Sequence, residues 1–103
     1  MSTSNPWPFE DPPNVMCFTV KSIVQATKPL LMVSRDVEDA GWSFLTGESL
    51  DMSEALLVTL RSMVERDQTV LELADLPPGW TAVRSSPQAS WTRAEDKISN
   101  EPA

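Results

Sequence analysis

Proline sets the outline of this chain. Nine prolines stand in 103 residues: four fall within the first 14 (MSTSNPWPFEDPPN), Pro77-Pro78 form a pair, and Pro29, Pro87 and Pro102 stand alone. Each removes a backbone donor, fixes its own φ and pushes the preceding residue toward extended backbone, so no helix or central strand runs through these points. Residues 1–14 therefore read as an extended N-terminal segment. Residues 94–103 (AEDKISNEPA) are polar and charged and read as a disordered C-terminal tail. Neither has the apolar area to offset the entropy of ordering it. Trp7 and Phe9 are the exception, two aromatics between prolines placed to dock either on the core or on a partner. What folds is a single domain over residues 15–93.

Within that domain the apolar pattern is one of short elements. VMCFTV (15–20) is β-branched and apolar without strict alternation, which predicts a strand buried on both faces or nearly so. Ser22-Ile23-Val24 reads as a helical turn that Pro29 ends, and LLMVSR (30–35) as a second strand. Residues 36–40 are a polar turn, with Gly41 supplying unusual backbone torsions. In GWSFLTG, Trp42 and Phe44 alternate with Ser43 and Leu45, a strand between two glycines; its short connection to the preceding strand predicts an antiparallel pair. Residues 51–75 admit two readings. One is a strand at 55–60 followed by a short helix at 63–67, opened by the capping box Ser62-x-x-Glu65. The other is a single helix over 52–66, with Leu56, Leu60, Met63 and Val64 at helical spacing and Asp51-x-x-Glu54 at its start. The first is preferred, because a cap at Ser62 is wasted inside a longer helix. Thr69-x-x-Glu72 opens a further helical turn, and Pro77-Pro78 end it. Trp80 to Arg84 form a strand with Trp80, Ala82 and Arg84 on one side, and Trp91-Thr92-Arg93 a last short one. The expected architecture is α+β: an antiparallel sheet of about five short strands with one or two short helices on one face.

Residues that carry chemistry are scarce. Histidine is absent, which removes the commonest general base and the commonest metal ligand. A single Cys17 makes neither an internal disulfide nor an ordinary zinc site, and its apolar neighbours point to a buried thiol. Three glycines, at 41, 47 and 79, are too few for a phosphate cradle. The chain reads as no enzyme, with no metal and no cofactor. Its net charge of −7, from 15 acids against 8 bases, opposes nucleic-acid and anionic-membrane binding and favours encounter with a basic partner. No apolar run approaches the ~20 residues of a membrane span and no leader precedes the domain, so a cytoplasmic protein is expected. Candidate partner-binding residues are the acids bordering the turns around WSFLT, namely Glu38, Asp39, Glu48 and Asp51, with Trp42 as a possible anchor. Four tryptophans with no tyrosine add Trp80, which has Arg84 close behind it, since tryptophan and arginine dominate binding hot spots. The plainer reading of the same indoles, Trp42 above all, is core filling.

The run VMCFTVKSIVQATKPLLMVSRD, its acidic turn into AGWSFLTGES, and the later VERDQTVLELADLPPGWTAVR and SWTR resemble the Immunity protein 33 family. The likeness spans about residues 15–93. These are small bacterial domains of unknown function placed in polymorphic toxin systems. The resemblance implies a non-catalytic immunity protein that binds a toxin domain and neutralises it. The alternative is a stand-alone interaction or regulatory module of unknown ligand, using the surface near Trp80 and Arg84.

Overall fold

A computed structural model describes residues 7–49 and 51–96. The expectations for residues 1–6 and 97–103 lie outside the described residues; Ala94 and Glu95, read as the start of a disordered tail, instead pair with Thr81 and Trp80 in a strand. In chain order the elements are β1 (Met16–Val20), α1 (Lys21–Val24), β2 (Met32–Arg35), β3 (Trp42–Leu45), a 3-10 turn (Met52–Glu54), β4 (Ala55–Thr59), α2 (Leu60–Arg66), a 3-10 stretch (Gln68–Leu73), β5 (Trp80–Val83) and β6 (Thr92–Glu95). The strands form one six-stranded sheet in the order β4-β1-β3-β2-β5-β6. Helices are few and short, so the fold is α+β and mostly sheet.

The sheet differs from the sequence reading in two respects. The sheet has six strands rather than about five. It is also mixed: β1 runs parallel to β3, with Phe18 opposite Ser43, while every other pairing is antiparallel. The β2–β3 hairpin is as expected. β1, however, lies on the far side of β3 from β2, so the chain must cross over after Val20, and a crossover gives a parallel pair where a hairpin cannot. The buried Thr19 hydroxyl donates to the Phe44 carbonyl at 2.8 Å and ties that pair together.

The strand-then-helix reading of 55–66 holds, and the single-helix alternative does not. Thr59 is extended (φ −78°, ψ 151°), and its Oγ1 accepts from the Ser62 N–H, so the strand ends where the helix is capped. Ser62 thus lies within the first turn of α2 rather than before it, and Glu65 pairs instead with Arg61 at 3.2 Å. The next 3-10 stretch is likewise capped upstream of its apparent box: Asp67 Oδ1 accepts from both the backbone N–H and the hydroxyl of Thr69. In the β2–β3 turn the left-handed residue is Ala40 (φ 59°), not Gly41. A Cβ on Gly41 would stand 3.0 Å from the Asp39 carboxylate, so this glycine supplies space. Gly79 does supply torsion (φ 83°), and its N–H donates to the Arg35 carbonyl at 2.7 Å.

The core lies on one face of the sheet. Alternation puts Cys17, Val33, Trp42, Phe44 and Ala82 on that face, where they cluster with Ile23, Leu30, Leu60, Met63, Val70, Leu73 and Leu76. The N-terminal segment joins in from residue 7. Phe9 is buried with its ring edge-on to Trp42 at 5.4 Å, and Trp7 lies 5.0 Å from Phe9. Trp7 and Phe9 therefore dock on the core, the plainer of the two options open to them.

Candidate functional site

The opposite face of the sheet is not covered in the same way. Registers place Leu57, Phe18, Ser43, Ser34, Thr81 and Ala94 in one cross-strand row on that side. At the β4–β1 end the face is apolar and open. Leu57 is 66% exposed, Met52 65% and Met16 52%, unusual values for large apolar side chains grouped together. With Phe18 they line a shallow depression whose rim includes Asp36 and Asp39.

The rim carboxylates are shaped by local hydrogen bonding. Asp36 Oδ1 accepts from the N–H groups of Glu38 and Asp39, and Asp39 Oδ1 accepts from that of Gly41 at 2.8 Å. These bonds hold Asp36 and Asp39 in place while Glu38 projects from the same exposed turn. At the other end of β3 stands a second acidic group. Glu48, Asp51 and Glu54 border a separate hollow with Lys28 and Val20. Glu48 there pairs with Lys28 Nζ at 2.6 Å, which raises the lysine's pKa through that hydrogen bond and the glutamate's charge. Asp51 caps the 3-10 turn, and hydrogen bonds from the Ser53 hydroxyl and N–H hold its carboxyl below the ordinary value.

The structure therefore does not bring Glu38, Asp39, Glu48 and Asp51 into one cluster. It sets them in two groups at opposite ends of β3, bracketing the open apolar face. Asp36 and Glu54 belong to these groups as well and were not singled out from the sequence. Nor were Met16, Phe18, Met52 and Leu57. VMCFTV reads as buried on both faces, and no residue in ALLVT marks which side faces water.

The remaining candidates lie on the core side. Trp42 is 3% exposed, its indole N–H donating to Asp11 Oδ2 at 2.8 Å and its ring beneath the Arg35 guanidinium at 4.8 Å. Trp80 is half-buried against the core. Arg84 is internal, its guanidinium donating to the carbonyls of Leu30 and Pro87, to the Thr69 hydroxyl and to the Asp67 carboxylate. Trp91 stacks over it at 4.3 Å and donates to the same Thr69 hydroxyl. Arg84 thus joins β5 to the start of β2 and to the joint between α2 and the 3-10 stretch. Burial, reinforced by the charge of Asp11, pushes the Cys17 thiol up to about 12, far from the reactive thiolate form.

Among the described residues no three metal-ligating side chains converge, and no helix is long and apolar enough to cross a membrane. Compared with family models, with curated proteins and with solved structures, the chain matches none.

Proposed function

We propose that this protein is a non-catalytic binding protein of the immunity type, which occupies a basic toxin domain through the open face of its sheet and so neutralises it. The observation that carries the reading is that face itself: exposed Met16, Met52 and Leu57 between two acidic groups on a chain of net charge −7. An apolar centre supplies burial on docking, and a charged rim steers encounter and sets register. The resemblance to the Immunity protein 33 family, carried by the motifs quoted above, gives the partner its class. Trp42 and Arg84 serve the scaffold in this reading.

The test begins with capture from lysate of the source cell at low and high salt. The expected outcome is one basic protein in one-to-one complex, released as salt rises, whose toxicity co-expression of this chain suppresses. Changing Glu38, Asp39, Glu48 and Asp51 together to their amides should then slow association by about tenfold or more at low salt while leaving the fold intact. An unchanged association rate would remove the acidic rim from the proposal. Absence of any protective effect against the captured protein would remove the immunity reading.

A further inference from the structure

The two edges of the sheet are unlike. β6 (Thr92–Glu95) carries Arg93 and Glu95, and all its residues are exposed; charged side chains of this kind guard an edge against pairing. β4 (Ala55–Thr59) has neither charge nor proline. Among the described residues it bonds to β1 on one side and ends the sheet on the other, so alternate residues turn N–H and C=O groups without a ladder partner outward. Leu57, its central residue, is the most exposed large apolar side chain among the described residues, at 66%. The charges flanking this strand differ in sign: Asp51 and Glu54 stand before it, and the exposed Arg61, which pairs with Glu65 on its own helix, stands just after it.

We propose that the β4 edge pairs with the β4 edge of a second copy of this chain, antiparallel about a two-fold axis at Leu57. Such an axis sets Leu57 beside its own copy and makes a continuous row, Phe18–Leu57–Leu57–Phe18, across the joined sheets. It brings the Glu54 end of each strand to the Arg61 end of the other, so the flanking charges complement one another. A parallel pairing would bring acid to acid. The net repulsion between two copies of charge −7 is screened within about 8 Å at physiological ionic strength, leaving the edge contacts to decide. The pairing uses the β4 edge of each copy and leaves outward only the charged β6 edges, so it stops at the dimer.

Sedimentation equilibrium of the full chain, from about 1 to 200 µM in physiological salt, tests this over the affinity range expected of a modest interface. The expected result is a reversible monomer–dimer equilibrium. Leu57→Lys should weaken it by at least about a hundredfold, because each copy loses a buried leucine and gains a charge at the axis. Leu57 is exposed in the monomer, so this variant should keep its far-ultraviolet circular dichroism. Glu54→Arg and Arg61→Glu should each weaken the dimer, and the double variant should restore it. Restoration is a result that a loss of folding cannot imitate. A monomer at every concentration, an assembly larger than a dimer, a dimer indifferent to Leu57→Lys, or a double variant no better than the single ones would each overturn the proposal.

Discussion

At Trp42 one side chain makes four contacts of different kinds. The ring stacks on Phe44 with planes 12° apart, meets Phe9 edge-on and lies under Arg35, while its N–H reaches Asp11. Trp42→Ala is expected to cost ~3–5 kcal/mol, the range for emptying an aromatic core site. Trp42→Phe keeps much of the ring burial but deprives Asp11 of its donor, and should cost about 1–2 kcal/mol. Urea denaturation of the two variants separates packing from hydrogen bonding, and a Trp42→Ala protein of unaltered midpoint would show the indole to be dispensable. The position of Trp42 was legible because period-2 alternation between two glycines decides which face a side chain takes. The positions of Arg35 and Arg84 were not. A guanidinium at the end of a strand reads as surface, since buried charge needs partners. Here those partners, Asp67 and the Leu30 carbonyl for Arg84 and the Leu76 carbonyl for Arg35, lie far away along the chain. Local pattern carries no trace of them.

Among the elements, the joint between α2 and the 3-10 stretch depends on Asp67, which caps the stretch and faces the Arg84 guanidinium. Burial by itself would raise the Asp67 pKa, but hydrogen bonds from Thr69 and Arg84 outweigh it and hold the carboxyl below its ordinary 3.8. A carboxyl with a lowered folded pKa binds protons more weakly folded than unfolded. Its stabilisation is therefore complete above 3.8 and is lost as pH falls from there through the lowered value. Asp67→Asn should lower stability at neutral pH by about 3 kcal/mol, the low end for removing one partner of a buried pair, because Asp67 keeps 23% of its side chain exposed. It should also flatten the decline below pH 3.8, though not abolish it, since Asp51 and Asp75 are lowered too. Thermal melts between pH 2 and 7 would show both effects, and a variant with the same acid slope as the parent would place that pH dependence elsewhere. The order of elements was legible from alternation and from Pro29 and Pro77-Pro78. The parallel β1–β3 pair was not, because strands distant in sequence are brought together by the packing of a shared core and not by local pattern. No signal within VMCFTV or GWSFLTG specifies it. The boxes at Ser62 and Thr69 misplaced their caps by three and two residues for a similar reason: Thr59 and Asp67, the true caps, are each extended and adjoin other elements, whereas Ser62 and Thr69 only have the right spacing.

The molecule as a whole divides its labour between two faces: the buried side holds the aromatic cluster and both internal arginines, and the open side holds the exposed apolar patch and its acids. Acidic composition pointed to a basic partner, but the two carboxylate groups become a frame only when β3 sets them apart and the sheet exposes Met16 and Leu57 between them. The strand order has a further consequence, in time rather than in space. Only β2–β3 and β5–β6 join strands that follow directly in the chain; β1–β3, β1–β4 and β2–β5 each close a long loop before any ladder bond forms. Refolding should therefore be slow for a chain of this size, on the millisecond-to-second scale of sheet proteins rather than the microseconds of helical bundles. In stopped-flow experiments, substitutions in the central β2–β3 hairpin should mainly slow folding, and those in β4, added last at the rim, should mainly speed unfolding. A β4 variant that slowed folding as much as a hairpin variant would reverse that sequence of events, and the rim strand would be the seed from which the sheet grows.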